Sequence, residues 1–243
     1  MTTGLILGSG AFELGQHWKP CGETAKRYGN PSMAPVETRL AGHRVVAISR
    51  HGRPARIAPH AVNYRANLFA LAEQGVKRIV AINTVGGIAR DAAAGKLLVA
   101  DQIIDYTHGR IQTFSDDQAV RHIEFSQPYD EDLRTALLKA GQLENLDVVA
   151  SGVMAVTQGP RLETAAEIAR MAADGCGIVG MTGMPEAVLA RELEIPFASL
   201  CAVVNPAAGI AGSQIDMASI EAVSRDVLAD AARLLTRLVS EVF

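Results

Sequence analysis

Five short apolar runs in this 243-residue chain each stop at a turn of glycine, hydroxyl, amide or basic side chains. Leu5-Ile6-Leu7 runs into Gly8-Ser9-Gly10, and Val45-Val46-Ala47-Ile48 into Ser49-Arg50-His51-Gly52-Arg53. Residues 77–82 lead to Asn83-Thr84-Val85-Gly86-Gly87, 177–180 to Met181-Thr182, and 196–204 to Asn205-Pro206. Apolar runs of this length, bounded by turn residues, read as buried strands. Pro206 is expected to end its strand, since proline has no N–H for a sheet ladder. Two further strands are expected over 97–105 and 147–157, with a polar segment before residue 40.

Helical patterns fill the intervals. Leu68, Leu71, Ala72 and Gly75 fall at i, i+3, i+4 and i+7, and a final helix carries Ile220, Val223, Val227, Ala231, Leu234 and Leu238 on one stripe. Helices are also expected over 131–143, 165–173 and 186–193. Thr164 and Glu167 match a capping box for the second of these, and Pro185 suits the first turn of the last. Strands alternating with amphipathic helices imply an α/β fold, one domain over 1–243 with a mixed central β-sheet flanked by helices.

Ligands of open α/β sheets gather at the carboxyl ends of strands. Ser9, Arg50, His51, Thr84, Thr182 and Asn205 therefore converge along one edge. The loop after the second strand adds Arg53, Arg56 and His60. Guanidinium and imidazole donors spaced by glycine and proline suit an anion. Gly8-Ser9-Gly10 is not a dinucleotide fingerprint, because Glu13 stands where the third glycine belongs.

Composition narrows the partners. A formal charge of −3 excludes a general electrostatic attraction to nucleic acid or membrane. The opening MTTGLILGSG lacks a cationic lead, and no apolar run approaches the roughly 20 residues of a membrane span, so a cytoplasmic location is expected. Cys21, Cys176 and Cys201 lie far apart, without metal spacing, and two of them sit in apolar surroundings and read as buried free thiols. No zinc motif and no compact nucleophile–histidine signature is present, so no metal site is expected.

In order and spacing, LILGSG, RHGR followed by NYRAN, NTVGG, DQIIDYT, GPRLET and GMTGMPEAVLARE followed by VVN resemble the trimeric purine nucleoside phosphorylases, in their methylthioadenosine phosphorylase branch. The resemblance covers nearly the whole chain. It implies reversible phosphorolysis of a purine nucleoside, with phosphate as co-substrate and no cofactor. By it, Ser9, Arg50, His51, Thr84 and Thr182 take the phosphate, and Met181 lines the ribose. Leu162 stands where relatives commonly have a base-stacking phenylalanine. Relatives carry a second histidine just after RHGR; here that place is Ala55, so its contact is absent or comes from Arg53 or Arg56.

The base end departs from the methylthioadenosine branch. Its two aspartates are replaced by Asn205 and Ala207, and Asn205 with Glu163 resembles the base site of inosine and guanosine phosphorylases. A carboxylate at Glu163 accepts from the N1–H of a 6-oxopurine, whereas adenine N1 is itself an acceptor. Glu163 is also explained as an acid favoured at the start of a helix. The resemblance thus implies S-methyl-5′-thioinosine as substrate, with hypoxanthine and 5-methylthioribose 1-phosphate as products. Alternatives are a general 6-oxopurine nucleoside phosphorylase, a methylthioadenosine phosphorylase, and a non-catalytic nucleoside-binding protein. It further implies a homotrimer in which His122 reaches the neighbouring subunit's sugar site, with Met217, Ala218 and Ile220 as apolar walls for the 5′ group.

Overall fold

The computed structural model describes residues 2–11, 17–115, 120–210 and 217–242, the side chains of Met217 and Val242 excepted. The central strand is β5 (Arg78–Gly87), ten residues long and buried over most of its length. Along one edge β11 (Phe197–Pro206) runs parallel to it, from Phe197 beside Ile79 to Pro206 beside Gly87. The other edge is shared. β1 (Thr3–Leu7) pairs in parallel with Arg78–Ile82, and β10 (Ile178–Gly180) pairs antiparallel with Gly86 and Gly87. Asn83, Thr84 and Val85 lie between the ends of these two neighbours.

From β1 the sheet continues through β4 (His43–Ser49) and β3 (Val36–Leu40) to a short edge strand, β2 (Lys19–Pro20). On the other side β10 leads to β9 (Val153–Val156) and β7 (Gln102–Asp105), all three parallel. β11 also carries β6 (Leu97–Val99), which pairs with β8 (Val148–Val149). The sheet is mixed, as expected.

Helices cover both faces. α1 (Tyr64–Glu73) and α4 (Glu186–Glu192) pack on one face through Leu68, Leu71, Ala187 and Leu189. α2 (Glu131–Leu143) and α5 (Met217–Arg237) cover the other through Leu133, Leu137, Val227, Leu234 and Leu235. α3 (Ala165–Ala173) seals the β9–β10 end with Ile168 and Met171. Its Thr164–Glu167 capping box is present on both arms.

Several boundaries differ from the sequence reading. Residues 83–87 form no turn: they stay in β5, because β11 pairs with them along one edge and β10 holds Gly86 and Gly87 on the other. β11 ends at Pro206, as expected, two residues past the apolar run. A register shift falls between Val203 and Asn205, and Ala207 donates to the Gly87 carbonyl just beyond. The strands expected over 97–105 and 147–157 are each broken in two, and the polar segment before residue 40 contains the edge pair β2–β3. Cys176 and Cys201 are buried free thiols; burial pushes Cys201 up to about 12.

Gly87 is where this arrangement is tightest. A Cβ there would lie 1.9 Å from the Ala92 carbonyl oxygen. Gly87→Ala is therefore expected to cost at least about 2 kcal/mol through forced backbone movement. Urea denaturation checks it: the midpoint should fall with the m-value unchanged, and an unaltered midpoint rules out the close approach.

Candidate functional site

The interval at residues 83–85 opens into a cavity of about 670 Å3 at the carboxyl end of the sheet. That volume is within the range of small-molecule sites. Ser9, Arg50, His51, Thr84 and Thr182 all line it, from four strands: β1, β4, β5 and β10. Leu162, Glu163, Met181 and Asn205 line it too. The structure thus brings nine of the eleven sequence-predicted residues into one cavity. His122 is exposed and does not line it, and the side chain of Met217 lies outside the described residues. Ile220 does line it, at the start of α5.

Each side chain is held by its element. Asn205 follows the register shift in β11, an irregularity that re-aims a side chain. Its Nδ2 donates to the Pro206 carbonyl at 2.6 Å, leaving the second N–H for a ligand. Gly8 brings the backbone over the site floor: a Cβ there would meet Ile82 O at 2.8 Å and Arg50 Nη1 at 3.0 Å. Glu163 sits one residue ahead of the α3 N-cap, so the first-turn explanation of its charge does not hold. Thr157, at the end of β9, donates to Glu163 Oε1 at 2.6 Å and orients the carboxylate.

Arg50 is 1% exposed and has a partner the sequence did not disclose. Its Nε and Nη2 donate to the two carboxylate oxygens of Glu186 at 2.5 and 2.9 Å, and Nη1 donates to the Ile82 carbonyl at 3.1 Å. Burial disfavours the guanidinium charge, but the charge and hydrogen bonds of Glu186 outweigh it and hold the pKa above its usual value. Three of five N–H groups are engaged; the other two, on Nη1 and Nη2, remain for an anion. The net charge of the pair is zero.

His51 and Thr182 are engaged as well. His51 Nδ1 lies 2.8 Å from the Ile57 carbonyl, an acceptor only, so Nδ1 carries the proton. Burial first, then the Arg50 charge, lowers its pKa and favours the neutral ring. Nε2 is then left as an acceptor. The Thr182 hydroxyl donates to Asn83 Oδ1 at 3.0 Å, and Asn83 Nδ2 donates to Ser199 at 2.6 Å. To give a hydrogen bond to an anion, Thr182 uses its backbone N–H or rotates its hydroxyl. Among the described residues the Ser9 and Thr84 hydroxyls have no such engagement.

Glu186, Thr157 and Arg110 are supporting residues that sequence reasoning missed. Arg110 Nη2 donates to the carbonyls of Thr157, Gln158 and Met181 at 3.0–3.2 Å, and Nη1 to that of Met184 at 2.7 Å. It thereby ties the loop carrying Glu163 to the loop carrying Met181 and Thr182. The Tyr64 ring lies 5.4 Å from its guanidinium carbon. The only local signal was an arginine in a polar loop; its acceptors are backbone carbonyls, which leave no compositional trace. A smaller hollow of about 300 Å3 lies behind Glu163 and Thr157, and none of the phosphate-donor candidates line it.

The arrangement can hold an anion beside the strand ends and present an amide and a carboxylate in the same cavity. Residues 2–240 match the model of the Phosphorylase superfamily. A probable S-methyl-5′-thioinosine phosphorylase of Pseudomonas syringae pv. tomato is 50% identical over 215 residues, 88% of this chain and 87% of that protein. A 6-oxopurine nucleoside phosphorylase of Pyrococcus furiosus is 36% identical over 239 residues, 95% of this chain and 89% of that one. Among solved structures, methylthioadenosine phosphorylase from Schistosoma mansoni in complex with tubercidin superposes with a TM-score of 0.90 at 28% identity. That match covers 100% of this chain and 92% of the other.

The Arg50–Glu186 pair gives a stability test. Glu186→Ala leaves a buried guanidinium uncompensated and is expected to cost about 3–5 kcal/mol, read as a fall in the urea midpoint. The double variant Arg50→Met/Glu186→Leu should recover most of that loss without restoring the site. Equal destabilisation of the single and double variants excludes charge burial as the cause.

Proposed function

The chain belongs to the Phosphorylase superfamily, and on that premise we propose that it splits S-methyl-5′-thioinosine with phosphate. The products are hypoxanthine and 5-methylthioribose 1-phosphate. The observation that carries the reading is that Asn205 and Glu163 line the same cavity as Ser9, Arg50, His51, Thr84 and Thr182.

As the bond between the base and the anomeric carbon breaks, the sugar becomes cationic and the purine anionic. A phosphate oxygen forms the new bond to the anomeric carbon, and the bonding electrons leave with the base. Donors already aimed at the developing charge lower the barrier more than groups that must reorganise. Asn205 donates its second amide hydrogen to N7, and Glu163 accepts from N1–H, its carboxylate held by Thr157. Adenine offers Glu163 no N1–H, and a buried polar mismatch of that kind costs about 1–3 kcal/mol. Met181 and Leu162 supply the remaining contacts to ribose and base, Leu162 without aromatic stacking.

Ile220, Val204 and Ala208 bring apolar surface to the cavity, which suits a methylthio group at the 5′ position. A thioether gains about 0.8 kcal/mol per buried methylene-sized group, while a hydroxyl there loses hydrogen bonds to water. The reaction needs neither metal nor organic cofactor, and phosphate enters as co-substrate. We place the enzyme in the cytoplasm as a homotrimer, His122 and Met217 completing the 5′ end and His122 coming from the adjoining subunit. Its exposed position away from its own cavity supports that assignment. No helix of the described residues is long and apolar enough to cross a membrane.

Purified protein, methylthioinosine and a chelator should yield hypoxanthine only when phosphate is added. Release at the same rate without phosphate identifies a hydrolase, and no release in either buffer leaves a binding protein. Methylthioinosine should exceed inosine in kcat/KM by at least about tenfold; parity favours a general 6-oxopurine nucleoside phosphorylase. Asn205→Asp combined with Glu163→Ser should shift relative preference toward 6-aminopurines, measured as the ratio of kcat/KM for methylthioadenosine and methylthioinosine. A wild-type preference for methylthioadenosine overturns the roles given to Asn205 and Glu163. Sedimentation velocity should give the mass of a trimer; an active monomer excludes a shared site.

A further inference from the structure

The cationic side chains at the cavity wall are not equivalent. Arg50 is buried and its charge is already balanced by Glu186, bonded through both carboxylate oxygens. His51 holds its proton on the atom bonded to Ile57, which leaves its other ring nitrogen an acceptor. Glu163 adds a carboxylate to the same cavity. Without another contribution, the groups facing a phosphate would carry no net positive charge.

Arg56 is the remaining arginine at this wall. It is exposed, and among the described residues its guanidinium has neither an ion pair nor a hydrogen-bond partner. Its backbone is nevertheless fixed. Arg56 N and Ile57 N both donate to the His51 carbonyl, at 2.9 and 3.1 Å, and His51 Nδ1 closes the ring to the Ile57 carbonyl. This clasp ties residue 56 to the residue whose ring faces the anion. Ala55 also lines the cavity and has no donor to offer. Arg53, by contrast, does not line the cavity.

We propose that Arg56 supplies the uncompensated positive charge that binds the phosphate co-substrate, in place of the histidine that relatives carry at position 55. The assignment rests on the phosphorolysis reading for its ligand, but the charge argument is that of an anion site alone. Arg50 then sets the shape of the floor, with two N–H groups in fixed directions, while Arg56 sets the attraction. An exposed cation of this kind acts through a partly screened field, so its effect depends on salt.

The test separates binding from turnover. Inorganic phosphate is titrated calorimetrically into wild type, Arg56→Ala, Arg56→Lys and Ala55→His/Arg56→Ala, and kinetics are measured with methylthioinosine. Arg56→Ala should weaken phosphate binding and raise the phosphate KM about five- to tenfold, with the nucleoside KM within about twofold. Arg56→Lys should stay within about threefold of wild type, because the point charge is kept. Ala55→His/Arg56→Ala should recover part of the loss. The fall in phosphate affinity between low and high sodium chloride should be smaller in Arg56→Ala than in wild type. Unchanged phosphate affinity in Arg56→Ala overturns the proposal and leaves phosphorolysis standing. If wild type releases no base, phosphorolysis fails and calorimetry still decides: loss of phosphate binding in Arg56→Ala supports the proposal. A wild type that binds no phosphate overturns both.

Discussion

One guanidinium holds the floor of this site together. The Arg50 backbone N–H donates to the Leu7 carbonyl at the end of β1, its Nη1 reaches the Ile82 carbonyl on β5, and one N–H each of Nε and Nη2 goes to Glu186 at the start of α4. The end of β1, the middle of β5 and a helix are thus joined to the end of β4 through a residue that is 1% exposed. The two charges lie 136 positions apart in the chain, so the pair forms only once the sheet and α4 have come together. Such a pair is a poor source of net stability, since desolvating both ions offsets most of their attraction. Its value is geometric: a guanidinium fixed on one side by a carboxylate presents its remaining N–H groups in directions that solvent does not blur.

A second clasp works without any opposite charge. Arg110 reaches four carbonyls on the loops after β9 and β10, and so couples the wall carrying Glu163 to the wall carrying Met181 and Thr182. Carbonyl dipoles stabilise its charge in place of a carboxylate. Together with the Thr157–Glu163 bond, this makes the base wall a prearranged surface. Preorganisation of that kind suits a reaction whose charge develops at two ends of a breaking bond.

Much of this was legible in the sequence because local signals and tertiary demands agree. α2 and α3 have the limits their patterns predict, with Asp130 and Thr164 accepting hydrogen bonds from the first turns. The strand-end residues were legible because turn chemistry after a buried run is itself a local signal. Asn83–Gly87 was not: glycine in a strand looks like a turn until two neighbouring strands are known to hold it. Glu186, Thr157 and Arg110 escaped for a related reason. Each acts on a partner distant in sequence or on backbone atoms, and neither relation alters composition or periodicity. Glu163 was read with a competing explanation in the helix dipole, which its place ahead of the cap removes.

The shared edge of β5 has a consequence for how such a site can change. β1 and β10 abut the same edge, so the opening between them is set by hydrogen-bond register on one strand. Register moves only in whole residues, each about 3.3 Å along the strand and each turning every side chain to the opposite face. The mouth therefore cannot be widened by small increments. A descendant of this chain that needs a larger or smaller substrate has to keep the frame and exchange the side chains that project into it, which makes the backbone here a fixed die and the residues its interchangeable type.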